Sequence, residues 1–279
     1  MLRPILALSA AIALPAAARA ADPAAPIHPS KIILVGDSTM QQHSGWGGSF
    51  CAEKVVSIAA CLDMGRGGRS TKSYRAEGSW AIALNEMRVK GYDAVWVLIQ
   101  FGHNDQPGKP GRSTDLATEF PANLRRYVDE ARAAGARPIL VTPLTRRMFT
   151  DGKVSDTLDP WAAATRKVAA EMNVPLIDLN ARSKQIVEAL GPALAAHLAM
   201  AAPTAEVVEA ALQGTTIEAD KTPRKPAPER AADALPAVAA PQAVFDYTHL
   251  GRAGADLFAG LVADELAKQV PAMRPLLVP

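Results

Sequence analysis

Lys31-Ile32-Ile33-Leu34-Val35-Gly36-Asp37-Ser38-Thr39 is the stretch on which the fold turns. After the lysine, four apolar residues run without alternation and stop at a Gly-Asp-Ser turn. A half-exposed strand alternates apolar and polar residues, whereas an unbroken run suits a strand covered on both faces, as in a parallel sheet. The signature recurs downstream. Tyr92-Asp93-Ala94-Val95-Trp96-Val97-Leu98-Ile99-Gln100 halts at Phe101-Gly102-His103-Asn104-Asp105, and Arg137-Pro138-Ile139-Leu140-Val141-Thr142 halts at Pro143. Weaker runs are Val174-Pro175-Leu176-Ile177-Asp178 and residues 57–64, the latter leading into Gly65-Arg66-Gly67-Gly68.

Helical periodicity fills the intervals. Residues 120–134 place Leu124, Tyr127, Val128 and Ala131 on one face and stop at Gly135. Residues 161–172, 183–190 and 254–270 read the same way, with Gly191-Pro192 closing the third of these four helices. Strands alternating with helices predict an α/β domain, a parallel sheet between helical layers.

The N-terminus reads as an address. Arg3 precedes an apolar run over residues 5–14, and Pro15-Ala16-Ala17-Ala18-Arg19-Ala20 carries the small-x-small pattern of a signal-peptidase site. The run is shorter than the roughly 20 apolar residues of a membrane span. Residues 1–20 are therefore expected to be a signal peptide, 21–30 a Pro/Ala-rich tether, and 31–279 a single domain, exported to the periplasm or the medium. No lipidation cysteine follows the leader, and no later stretch predicts a membrane span. The net charge of +2 comes from scattered basic residues, so nucleic acid is not an expected partner. Cys51 and Cys61, the whole cysteine complement, either close a short loop or stay free. Residues 201–242 break the rhythm with Ala, Pro, Glu and Lys. They read as an inserted surface loop with a helix near 205–212, the alternative being a lid over the site.

Function in an open α/β sheet collects at the carboxyl ends of the strands. Ser38 stands two residues past the first run, and no Gly-x-Ser-x-Gly elbow occurs anywhere. Asp246-Tyr247-Thr248-His249 precedes the last helix, a spacing at which Asp246 accepts from the imidazole and leaves His249 free to take the Ser38 proton. Donors for an oxyanion are available at the Ser38 N–H, at a backbone N–H of Gly67-Gly68 and at the Asn104 amide. Each piece alone has a plain structural explanation, such as a capping turn or a surface histidine. Their order along the chain, at successive strand ends, favours an ester hydrolase.

Together these blocks resemble the SGNH (GDSL) hydrolases. Gly36-Asp37-Ser38-Thr39-Met40, Gly68-Arg69-Ser70, Gln100-Phe101-Gly102-His103-Asn104-Asp105 and Asp246-Tyr247-Thr248-His249-Leu250 resemble more narrowly the rhamnogalacturonan acetylesterase branch. The resemblance implies a three-layer α/β/α sandwich, flavodoxin-like, around a five-stranded parallel sheet, with no cofactor. It implies Ser38 as nucleophile, Asp246 and His249 as its partners, and Ser38, Gly68 and Asn104 as the oxyanion hole. It also departs from the family: an asparagine near the start of the glycine block is replaced at Asp63 or Met64, and the insertion lies directly before Asp246.

The expected substrate is an acetylated polysaccharide, rhamnogalacturonan or pectin, cleaved by a monomer. Arg69 and Arg146, with Arg147 beside the latter, are candidate substrate contacts because guanidinium pairs with the carboxylate of an acidic sugar, and His103 is another through its place beside Asn104. Trp46 and Trp80 read as core residues before sugar platforms. No histidine has partners at metal-ligand spacing, so no metal site is predicted. The rival readings are an esterase or lipase for other short-chain, aryl or acetyl-xylan esters, and a non-catalytic carbohydrate-binding protein.

Overall fold

The computed structural model describes residues 29–218 and 244–278. The predicted leader, most of the tether and the second part of the predicted insertion lie outside the described residues. The described residues form seven strands: β1 (Lys31–Gly36), β2 (Ala60–Asp63), β3 (Val95–Gln100), β4 (Arg137–Val141), β5 (Phe149–Thr150), β6 (Lys153–Val154) and β7 (Leu176–Ile177). Five form one sheet in the order β2-β1-β3-β4-β7, and every pairing in it is parallel. β5 and β6 make a separate antiparallel hairpin.

The unbroken apolar runs are explained by burial. All six residues of β1 and all six of β3 are buried. Successive side chains of a strand point to opposite faces, and the core divides accordingly. Ile32, Leu34, Trp96 and Leu98 pack with Phe258, Val262 and Leu266 of the helix Arg252–Gln269. Ile33, Val35, Val97 and Ile99 pack with Phe120, Leu124 and Tyr127 of the helix Glu119–Ala133 and with Trp161 and Val168 of the helix Asp159–Glu171. The result is the α/β/α sandwich that the sequence predicts.

Element ends fall within a few residues of expectation, and the differences have local causes. β7 keeps only two residues, since it pairs with β4 alone at the sheet edge. The helix Leu179–Ala196 is interrupted at Gly191 (φ 70°, ψ 170°), and Pro192 opens its second part. The helix Ser79–Arg88 was not foreseen; it carries four buried residues, including Trp80 and Met87. Cys51 and Cys61 form a disulfide with Cα atoms 5.4 Å apart, fastening a turn of π-helix, Phe50–Lys54, to edge strand β2. The predicted insertion begins as folded structure: the helix Ala205–Leu212 is capped by Thr204 and buries Val207 with Ala196, Ala199, Phe245 and Tyr247. The hydroxyls of Thr215 and Thr216 then bond the Phe149 carbonyl of the hairpin. Residues 201–218 are thus docked against the domain.

The chain passes from β1 outward to β2 and then returns to the other side of β1 as β3. The connections therefore diverge between β1 and β3, the crevice position at which doubly wound sheets place their ligands. The segments leaving these two strands carry Ser38 and Asn104.

Candidate active site

Ser38 sits in a turn tied down on every side. The buried Asp37 accepts from Thr39 N and Thr39 Oγ1 through one oxygen, each at 2.8 Å. Thr39 Oγ1 in turn accepts from Gln100 Nε2 at 2.7 Å, and Gln100 Oε1 accepts from Trp46 Nε1 at 2.9 Å. A polar chain through the buried layer thus locks the end of β1 to the end of β3. Trp46 and Trp80 are both core residues, and their indole N–H groups bond Gln100 and Glu130.

The segment before the last helix meets this turn. His249 Nε2 lies 2.8 Å from Ser38 Oγ, and His249 Nδ1 lies 2.6 Å from Asp246 Oδ2. The other oxygen of Asp246 accepts from the backbone N–H of Thr248 and of His249, at 2.7 and 2.6 Å. One carboxylate therefore shapes the loop and orients the ring. Burial works to raise the Asp246 pKa, but the hydrogen bond and charge of His249, with these two N–H donors, hold it below the ordinary carboxylate value. Ser44 joins the two loops: its hydroxyl donates to Ser38 O at 2.7 Å, and its carbonyl accepts from Leu250 N at 2.9 Å.

The glycine block forms a second wall. A Cβ on Gly67 would stand 3.8 Å from Ser38 Cβ, so this backbone passes directly beside the hydroxyl-bearing residue. Gly68 has φ +78°, a left-handed conformation that side chains rarely adopt. Asn104 Nδ2 donates to Arg69 O at 3.0 Å, which leaves its second N–H available. Asp105 holds the two segments together, accepting from Thr71 N at 3.1 Å, Thr71 Oγ1 at 2.5 Å and Thr114 Oγ1 at 3.0 Å. Burial pushes its carboxyl up to about 7 against those bonds. A cleft of about 460 Å³ opens along this wall, lined in part by Gln41, His43, Asp63, Arg66 and Arg69.

The predicted substrate contacts separate. His103 is corrected: it is 3% exposed, below the reach of a ligand. Its Nδ1 lies 3.5 Å from Asp37 Oδ2, too poorly aligned for a hydrogen bond. Burial pushes its pKa down despite the nearby Asp37. Arg69 is half-buried and already engaged by Glu77 Oε2 at 2.8 Å and by Gly67 O at 2.7 Å. Arg146 reaches the site rim, donating to Thr248 Oγ1, the neighbour of His249, at 3.3 Å.

Arg147 is also corrected, because it is 1% exposed and meets no ligand surface. Its guanidinium donates to the carbonyls of Asp246, Thr248 and His249 at 3.0, 3.3 and 2.8 Å, and its own N–H donates to Tyr247 O at 2.9 Å. Burial pushes its pKa down to about 10, opposed by the charge of Asp246. It is the clamp of the Asp246–His249 loop, and sequence reading missed that role. The only available signal was its position shortly after β4, which equally fits a ligand contact. The Asp105–Thr71 junction was missed as well. Among the described residues, no group of three or more His, Cys, Asp or Glu is placed to hold a metal ion, and no helix is long and apolar enough to cross a membrane.

Comparison with known proteins adds a family pattern. The GDSL-like lipase/acylhydrolase family model matches residues 34–197, a segment that ends before Asp246 and His249. Rhamnogalacturonan acetylesterase RhgT of Bacillus subtilis is 37% identical over 175 residues, covering 59% of this chain and 71% of that protein. The probable rhamnogalacturonan acetylesterase YesY of the same organism is 35% identical over 162 residues, covering 54% of this chain and 71% of YesY. The crystal structure of Bacillus subtilis YxiM shares the fold, with a TM-score of 0.61 at 24% identity; the match covers 88% of this chain and 58% of that one.

Proposed function

This chain belongs to the GDSL-like lipase/acylhydrolase family and is a carboxylic-ester hydrolase, and we propose that it removes O-acetyl groups from a plant cell-wall polysaccharide, rhamnogalacturonan, through an acyl-enzyme on Ser38. The observation that carries this reading is the hydrogen-bonded series Ser38–His249–Asp246 at the crevice between β1 and β3. Ser38 Oγ attacks the acetyl carbonyl as its proton passes to His249 Nε2. The carbonyl oxygen becomes an oxyanion among the N–H groups of Ser38 and Gly68 and the free amide N–H of Asn104. The bond to the sugar oxygen then breaks, and that oxygen takes the proton from His249. Water repeats the sequence on the acetyl-enzyme and releases acetate. Asp246 holds the ring tautomer and stabilises the imidazolium formed in each half.

The choice of sugar is supported by the names of RhgT and YesY, which are 37% and 35% identical over 59% and 54% of this chain. Export is supported by the charge, apolar run and small-x-small order of residues 1–20, and by the disulfide, a bond that persists in oxidising compartments. A monomer suffices, since one chain supplies every residue of the site. The test is acetate release from acetylated rhamnogalacturonan, acetylated xylan and an aryl acetate, with Ser38→Ala alongside. Release from rhamnogalacturonan above the others, abolished in a folded Ser38→Ala protein, is the expected result. Activity surviving in that variant would refute the mechanism, and preference for xylan would refute the substrate.

A further inference from the structure

Three cations gather around the active-site rim, on the segments that follow β3 and β4. Arg112 Nη1 lies 3.3 Å from Gly68 O and 3.5 Å from Asn104 Oδ1, touching both residues of the glycine and asparagine walls. Lys109 Nζ donates to the carbonyl of His103, the residue before Asn104. Arg146 donates to Gln106 Oε1 at 2.8 Å, Thr157 Oγ1 at 2.7 Å and Thr248 Oγ1 at 3.3 Å. Each is anchored to a residue that is part of the reactive centre or lies within two positions of it.

Every one of these acceptors is neutral. Among the described residues, none of the three cations forms an ion pair. Other half-buried arginines behave differently: Arg75 pairs with Glu130 at 2.8 Å, and Arg166 with Asp178 at 2.8 Å. Of the nearby carboxylates, Asp105 accepts from Thr71 and Thr114 and Asp246 from His249, while Asp37, fully buried, binds Thr39 through one oxygen and makes no contact with the three cations. The three charges also feel one another. Burial lowers the Lys109 pKa and the positive charges of Arg146 and Arg112 lower it further, while Asp37 and Asp105 oppose the shift. Burial likewise lowers Arg146, against Asp37, Asp246 and Asp156. Like charges held together in a partly desolvated rim are unfavourable until an anion joins them.

We propose that Lys109, Arg112 and Arg146 form a subsite for a carboxylate on the alcohol side of the ester, so that the enzyme selects acetylated uronides over acetylated neutral sugars. The proposal rests on the esterase reading above and adds to it the residues that choose the substrate. The planar guanidinium groups of Arg112 and Arg146 match a carboxylate in geometry, and Lys109 supplies a third, adaptable donor. Arg69, already paired with Glu77, is not needed.

The experiment compares three substrates on the full-length enzyme: an acetylated oligogalacturonide, the same oligosaccharide reduced at its carboxyl groups and re-acetylated to the same degree, and 4-nitrophenyl acetate. The wild type should show kcat/KM about tenfold or more higher on the uronide than on the reduced sugar, as expected for loss of a charge-assisted contact. Added salt should shrink that advantage while leaving the uncharged aryl ester nearly unaffected. In Lys109→Gln and in Arg146→Gln, the ratio of uronide to reduced-sugar kcat/KM should fall about fivefold or more, chiefly through KM. Thermal unfolding verifies that each variant is folded, and the salt series needs no variant at all. Equal wild-type kcat/KM on the two sugars, or an undiminished ratio in both variants, overturns the subsite. Hydrolysis of the aryl ester alone overturns the subsite and spares the serine esterase. Failure on all three substrates overturns the esterase reading itself.

Discussion

Replacement of Asp246 by Asn separates the two tasks of that side chain. In the native loop one carboxylate oxygen accepts from Thr248 N and His249 N at 2.7 and 2.6 Å, and the other accepts from His249 Nδ1 at 2.6 Å. An asparagine Oδ1 keeps both backbone bonds. Its amide N–H then faces Nδ1, which satisfies it only by accepting, so the ring proton moves to Nε2. That atom is 2.8 Å from Ser38 Oγ and now donates to it, so the base is lost. The analogous change in the Ser-His-Asp template lowers kcat by about 10,000-fold, or roughly 5 kcal/mol in the barrier. Stability should change little. Asp246 has a lowered folded pKa, so it contributes stability above its unfolded value of 3.8 that is lost as pH falls through the folded one. The group is 34% exposed, and after solvent screening the contribution at neutral pH is at most about 1 kcal/mol. The assay is kcat on an aryl acetate and on acetylated rhamnogalacturonan, with thermal unfolding on the same samples. A folded Asp246→Asn protein that keeps more than about a tenth of wild-type kcat would refute the assignment. Asp246→Ala, which also removes the loop bonds, should lose both activity and stability.

Asn104→Ala removes one oxyanion donor, and kcat should fall by about 100- to 1,000-fold with KM little changed; a drop confined to KM would contradict the role. Arg147→Met leaves three carbonyls of the Asp246–His249 loop without their shared donor and relieves one buried charge. Denaturant unfolding should show a net loss of about 2–4 kcal/mol, and a change under about 0.5 kcal/mol would mean that the clamp is dispensable. Asp63 is raised to about 7 by burial, opposed by its bond from Gly65 N. Between pH 3.8 and about 7 the folded state therefore holds a proton that the unfolded chain has released, and stability falls as pH rises across that window. Asp63→Asn should match the wild type near pH 4 and exceed it by roughly 2–4 kcal/mol at pH 8, read as a higher Tm; equal Tm at both pH values would count against it.

Much of the fold was legible because its signals are local. The runs Ile32-Ile33-Leu34-Val35 and Val95-Trp96-Val97-Leu98-Ile99 are apolar throughout, as two-sided burial requires, and the stop at Gly135 ends its helix where expected. Among the five strands of the parallel sheet, β7 is the shortest and gave one of the weaker signals, since two residues at a sheet edge carry little pattern, and the two-residue strands of the β5–β6 hairpin gave none. The helix Ser79–Arg88 escaped notice: it is short, and only four of its ten residues are buried. Ser38 and Asn104 were legible through their motifs and their places after strands β1 and β3, Asp246 and His249 through their motif before the last helix, and the structure gathers all four around one crevice.

Composition and short-range pattern thus determined by themselves the sandwich of helices around a parallel sheet, the strand ends at which chemistry collects, and the residue types present there. The tertiary structure alone decided depth and partnership. His103 and Arg146 both lie within a few residues of a strand end, yet one is sealed beside Asp37 and the other reaches the rim. Arg146 and Arg147 are adjacent, and the backbone carries one outward and the other beneath the His249 loop, about 100 residues away in sequence. Such contacts depend on which segments the sheet order brings together. Local propensity and hydrophobic period carry no record of a partner so distant, whereas close packing in the folded state leaves each side chain one place to go.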